Sequence, residues 1–131
     1  MTKGLNILIV DDEPAVRQCV KFILERTGHE VRTVDGGEAA LEALAKLEFD
    51  LVITDFSMPG MRGDQLVARI RKQLPTQPII MATASAEDYM PQLSGIVDAL
   101  IHKPFSLAEL HQAIERVTSA VSQPSFASGV N

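Results

Sequence analysis

The stretch LVITDFSMPG, Leu51 to Gly60, runs four strand-forming residues into a carboxylate and then, four residues on, into a proline. Short apolar and β-branched runs form strands, and a Pro-Gly pair marks a turn, so Asp55 stands at the carboxyl end of a strand. Working outward, LNILIV, HEVRTV, PIIMAT and ALIH repeat the pattern. The residues between successive runs show helical spacing or are long enough to hold a helix, which is β-α-β-α order. A run such as ILIV lacks the apolar-polar alternation of a half-solvated strand. The strands are therefore expected to be covered on both faces by helices, as in a parallel sheet. The fold class is a doubly wound α/β sandwich, and the alternation alone leaves its strand order open.

The first helix is expected to begin at Pro14, after Asp12 and Glu13, with Val16, Val20, Ile23 and Leu24 on one face and Gly28 as its stop. Cys19 falls toward the apolar side and is expected to be a buried thiol. The second helix starts near Gly37 and buries Ala40, Leu41, Leu44 and Leu47; the third follows Gly63 and buries Leu66, Val67, Ile70 and Leu74 before Pro75 stops it. Pro91 interrupts the segment from Ala86 to Gly95, where a short or distorted helix is expected. The last helix opens with SLAE, a capping box of Ser106 and Glu109, and turns Leu107, Leu110, Ile114 and Val117 inward.

With 131 residues the chain fits one domain, and 46% hydrophobic with 22% charged residues is ordinary for a globular protein. Apolar runs of about four residues fall far short of the roughly 20 that span a bilayer, and the N-terminus lacks a signal peptide's cleavage pattern. The expectation is a cytoplasmic protein that uses no membrane. One cysteine allows neither an internal disulfide nor a cysteine metal cluster. A net charge of −5 argues against nucleic acid as a partner, since holding a polyanion takes clustered Lys and Arg. Arg62, Arg69, Arg71 and Lys72 around the third helix read as a solvated face. Met58 and Met61 read as loop packing, and His29, His102 and His111 as surface or satisfied residues.

Right-handed crossovers put the carboxyl ends of parallel strands on one edge, where such folds build their sites. That edge collects Asp11 and Asp12 after the first strand, Asp55 after the third, Thr83 after the fourth and Lys103 after the fifth. Three crowded carboxylates repel one another, and without a partner at least one takes up a proton. Hard oxygen ligands without His or Cys favour Mg²⁺ or Mn²⁺ over Zn²⁺. A hydroxyl, an ammonium and a divalent cation around a carboxylate are the parts that stabilise an equatorial phosphoryl oxygen during in-line transfer, with Asp55 as the nucleophile.

These residues carry a resemblance. ILIVDDEP, DLVITDFSMPGMRG, IIMATAS and ALIHKPF, in this order and near this spacing, resemble the response-regulator receiver domain of two-component signalling, chemotaxis regulators among them. The resemblance covers about Leu5 to Val117. It implies a flavodoxin-like five-stranded parallel sheet of order 2-1-3-4-5 with five helices on its two faces. It implies that Asp55 accepts a phosphoryl group from a histidine kinase or a histidine phosphotransfer domain. It implies that Asp12, Asp55 and the Ser57 carbonyl bind Mg²⁺ with Asp11 nearby or through water, that Thr83 is the switch hydroxyl, and that Lys103 is the ion-pair partner. Pro59 and Gly63 shape the loop below the site, and the bond before Pro104 is expected to be cis.

Two positions depart from the family. Leu100 stands where Tyr or Phe is usual, three residues before the lysine, and a leucine cannot reproduce an aromatic swing. Pro91 sits in a segment slightly short for a fourth helix. A Mg²⁺-dependent phosphatase of the haloacid-dehalogenase kind is the competing class, but its DxD motif belongs on the first strand. Here Ser57 stands two residues past Asp55, where a general acid would be needed. A degenerate receiver that only binds partners is weakened by the presence of all five site residues. Residues 1–118 are read as the receiver domain, and 119–131, rich in Ser, Gly and Pro, as a disordered tail or linker stub. Such a module is expected to be a monomer or weak dimer. Its only chemistry is Mg²⁺-dependent self-phosphorylation from phospho-donors and autodephosphorylation.

Overall fold

The computed structural model describes residues 4–84 and 95–122, with side chains to 119. Five strands, β1 (Asn6–Val10), β2 (Glu30–Val34), β3 (Leu51–Asp55), β4 (Ile79–Thr83) and β5 (Ala99–His102), form one parallel sheet of order β2-β1-β3-β4-β5. Four helices lie among the described residues: α1 (Pro14–Arg26), α2 (Gly37–Lys46), α3 (Gly63–Gln73) and α4 (Leu107–Ser122). This is the flavodoxin-like arrangement. The expected short helix between Ala86 and Gly95 falls almost wholly outside the described residues.

Alternation along each strand divides the core into two layers. Ile7, Ile9, Leu51, Ile53, Ile80 and Ile101 meet Val20 and Leu24 of α1 and Leu110, Ile114 and Val117 of α4. Leu8, Val10, Val52, Ile79 and Met81 meet Ala40 of α2 and Leu66, Val67 and Ile70 of α3. The central strands β3 and β4 are buried at every residue, as their unbroken apolar runs require. The edge strand β2 is only half-covered, because it has one neighbour in the sheet.

Helix ends follow their local signals. Pro14 occupies the first turn of α1, where its missing N–H costs no hydrogen bond. Gly28, at φ +99°, ends α1: its N–H donates to Glu25 O and that of His29 to Leu24 O, the paired bonds of a left-handed C-terminal cap. Ser106 and Glu109 exchange the two bonds of the expected capping box at 3.0 and 2.8 Å. The Lys103–Pro104 bond is cis.

Four apolar expectations fail, three of them at helix margins. Leu47, Leu74 and Leu107 are exposed, because each flanks or ends a helix where the inward face runs past the edge of the sheet. Cys19 is exposed as well: one position before the buried Val20, it is turned about 100° off the inward seam. Met58 is buried and Met61 packs on Gly37, as loop packing predicts. Arg71 departs from the solvated face assigned to it. Its guanidinium donates to Ile96 O, Pro75 O and Gln77 O and pairs with Asp98 Oδ2 at 3.1 Å.

Candidate functional site

Main-chain ladder bonds continue past the strand ends and place the chemical groups. Asp11 N donates to Val34 O at 3.2 Å, Phe56 N to Ala82 O at 2.9 Å, and Lys103 N to Thr83 O at 2.9 Å. Asp11, Asp55, Thr83 and Lys103 are thereby held at one edge by the sheet itself. The start of α3 closes in from below. Gly63 N donates to Phe56 O at 2.8 Å, and any Cβ at Gly63 would overlap the Asp55 carbonyl. Gly60, at φ +83°, supplies the left-handed turn between them.

Asp11, Asp12 and Asp55 each offer a carboxylate oxygen within 4.8 Å of the others. Lys103 Nζ lies between two of them, donating to Asp55 Oδ1 at 3.0 Å and Asp11 Oδ2 at 3.3 Å. Asp11, Asp55 and Thr83 are buried, Asp12 is half-buried, and Ser57 lies in the exposed loop two residues past Asp55. The structure thus brings together the five residues singled out from the sequence. His102, beside Lys103, is exposed.

Electrostatics follow from this packing. Burial pushes the Asp55 carboxyl above its ordinary range; the Lys103 hydrogen bond and charge pull it back, and the charges of Asp11 and Asp12 push it up again. For Lys103, burial acts downward, but the bonds and charges of Asp55 and Asp11 outweigh it and the ammonium is held above its usual value. One lysine therefore faces three carboxylates, a negative excess in a poorly solvated place. The donor set is oxygen only, and among the described residues nothing donates to the Asp12 carboxylate. That is the chemistry of a site for a small, hard divalent cation.

The chain matches the family model of the response regulator receiver domain over residues 7–115. It belongs to the receiver-domain family. It is 37% identical over 122 residues to the chemotaxis protein CheY-3 of Vibrio cholerae, covering 89% of this chain and 94% of that one. It is also 37% identical over 109 residues to the transcriptional regulatory protein TcrA of Mycobacterium tuberculosis, covering 82% of this chain but 43% of that longer protein. The response regulator TrrA of Thermotoga maritima, solved in complex with Mg²⁺-BeF, superimposes with a TM-score of 0.80 at 35% identity over 86% of this chain and 97% of that one. Receiver domains are the phosphoryl-accepting modules of two-component signalling, and the fold and the edge cluster of this chain are consistent with that function.

Two contributors to the site escaped the sequence reading. Arg17 Nη1 donates to the main-chain carbonyl of Asp11 at 2.7 Å, and Glu13 N donates to Asp11 Oδ1 at 3.0 Å. The second was signalled by acidic residues two positions apart before a helix, the spacing of an Asx turn. The first had no signal, since an arginine on an amphipathic helix ordinarily points to solvent.

Proposed function

We propose that this chain takes a phosphoryl group onto Asp55 from a histidine kinase or a histidine phosphotransfer domain and thereby changes which protein it binds. The observation that carries this reading is the Lys103 ammonium bridging Asp55 and Asp11 beside the Asp12 carboxylate, which has no donor among the described residues. Asp12 and Asp55, with the Ser57 carbonyl, would hold Mg²⁺, and Mn²⁺ would serve in the same oxygen set; the bound cation supplies charge for the phosphoryl oxygens. A carboxylate oxygen of Asp55 forms the new O–P bond as the N–P bond of the donor phosphohistidine breaks, and the departing imidazole keeps the electron pair and is protonated by solvent. Lys103, already turned to Asp55, moves its ammonium onto a phosphoryl oxygen, and the Thr83 hydroxyl donates to another. Water then hydrolyses the aspartyl phosphate slowly, returning the Asp55 carboxylate and inorganic phosphate, so the only chemistry is self-phosphorylation and autodephosphorylation.

Residues 1–118 form the receiver in this reading and 119–131 a tail or linker. The module works in the cytoplasm as a monomer or weak dimer and binds no nucleic acid itself. Among the described residues no helix is long and apolar enough to cross a membrane. Intact-mass measurement after incubation with acetyl phosphate is the test. One phosphoryl adduct is expected with Mg²⁺, none in EDTA and none in Asp55→Asn; an adduct persisting in that variant moves the acceptor elsewhere.

A further inference from the structure

We infer that Arg17 is a positioning residue for the Asp12 carboxylate and so sets the affinity of the site for its divalent cation; this rests on the cation reading given above. Asp11 is bonded at every polar atom. Its N–H donates to Val34 O, Oδ1 accepts from Glu13 N, Oδ2 accepts from Lys103, and its carbonyl accepts from Arg17. Asp12, the next residue, has none of this. Nothing among the described residues donates to its carboxylate, so its direction is set by its own backbone.

The Asp11 carbonyl belongs to the peptide plane that joins Asp11 to Asp12. A guanidinium bond to that oxygen at 2.7 Å, at the short end for a charge-assisted contact, holds the plane and so the N–Cα bond from which the Asp12 side chain is aimed. Arg17 sits half-buried in the first turn of α1, with its own N–H on Glu13 O at 3.1 Å. It reaches back over that turn and ties helix to loop. Among the described residues it makes no ion pair with the carboxylate of Asp11, although it reaches that residue's carbonyl. Its charge goes to a carbonyl, which is the arrangement of a support rather than of a counter-ion.

Position and charge predict opposite signs, which makes the inference testable. Removing a positive charge beside carboxylates should tighten Mg²⁺ binding, whereas releasing the peptide plane should loosen it. Groups that orient metal ligands typically carry tenfold or more in affinity. Calorimetric Mg²⁺ titration is therefore expected to give about tenfold weaker binding for Arg17→Gln, partial recovery for Arg17→Lys, and an unchanged value for Lys21→Gln, which removes the same charge from the exposed side of α1. With acetyl phosphate as donor, the Mg²⁺ concentration at half-maximal rate should rise in Arg17→Gln while the rate at saturating Mg²⁺ stays near wild type, because Asp55, Thr83 and Lys103 are untouched.

Equal or tighter Mg²⁺ binding in Arg17→Gln overturns the inference, and so does a rate that stays low at saturating Mg²⁺. If Arg17→Gln does not fold, as urea unfolding in EDTA will show, Arg17→Lys decides, because it keeps the charge and loses the planar fork: wild-type affinity there overturns the proposal. Absence of Mg²⁺ uptake by the wild type would overturn the cation reading itself and this inference with it, a failure distinct from any seen only in the variants.

Discussion

Asp55 and His29 are both buried titratable groups, and their surroundings treat them differently. Burial and the charges of Asp11 and Asp12 hold the Asp55 carboxyl above its ordinary range, against the pull of Lys103. Its raised carboxyl contributes stability that is present below the ordinary range and lost as pH rises through the folded value. Asp55→Asn keeps an oxygen for Lys103 and removes the charge, so in EDTA at pH 7 its melting temperature should exceed wild type by a few degrees, roughly a 1 kcal/mol effect for a domain of this size. Millimolar Mg²⁺ should narrow the gap by stabilising only the wild type, as parallel thermal melts will show. His29 has the opposite sign. Its Nδ1 accepts from Leu5 N at 3.1 Å, and burial, then the charge of His111, lowers its pKa. It lines an open pocket of about 390 Å³ together with His111, Glu115 and Thr27. Stability owed to neutral His29 is complete above the ordinary value of 6.5 and is lost as pH falls below it. The melting temperature should therefore drop between pH 7 and about 5. His29→Asn, whose Oδ1 can still accept from Leu5, should flatten that slope; equal slopes would show that other groups carry it.

At the scale of elements, two contacts decide how helices meet the sheet. The start of α3 lies against the Asp55 main chain only because Gly63 has no Cβ. Gly63→Ala must push α3 or the Asp55 peptide aside, and overpacking of this kind costs about 1–3 kcal/mol. Urea denaturation should register that loss, together with slower phosphorylation of Asp55 than the stability change explains. At the other end of α3, Arg71 ties the helix to the chain entering β4 and to the turn entering β5, and Asp98 Oδ2 also accepts from Ile79 N at 2.8 Å. Arg71→Met retains the apolar stem but leaves several carbonyls without their donor. A loss of about 2–4 kcal/mol is expected by the same measurement, since each bond to a charged group contributes about 1.5–3 and water recovers part of it.

Across the whole molecule the question is how a charge placed on Asp55 is felt at the surface. Leu100 is half-buried on β5 and packs with the layer that holds Phe56, Met58 and Met81, so it is a wall of the core rather than a mobile ring. Thr83 is buried on β4, with its carbonyl bonded to Lys103 N. A phosphoryl group brings up to about two negative charges and new acceptor oxygens beside these two residues, enough to reorder a loop by charge-assisted bonds. With beryllofluoride as its stand-in, amide shifts should concentrate at Thr83 to Met90 and Leu100 to Phe105. Thr83→Ala should suppress them far more than Leu100→Ala does. Equal suppression would mean that Leu100 carries the coupling. The stretch 85–94 lies outside the described residues, so this expectation rests on Thr83, Lys103 and β5.

Alternation, helix starts and stops, and the gathering of Asp11, Asp12, Asp55, Thr83 and Lys103 at one edge were legible in the sequence, because each depends on local periodicity, on Pro and Gly chemistry, or on the common direction of parallel strands. The strand order was open to periodicity and came only through resemblance; the sheet pairing decides it. Leu47, Leu74 and Leu107 misled because a stripe says which way a residue points and not where the sheet ends. Arg71, Arg17 and His29 were illegible for a further reason. Their partners are main-chain groups at Gln77 and Ile96, at Asp11 and at Leu5, and no side-chain pattern announces a carbonyl or an N–H. Only the packed chain brings those groups within reach, and burial then makes the bonds matter, because away from water neither partner has an alternative.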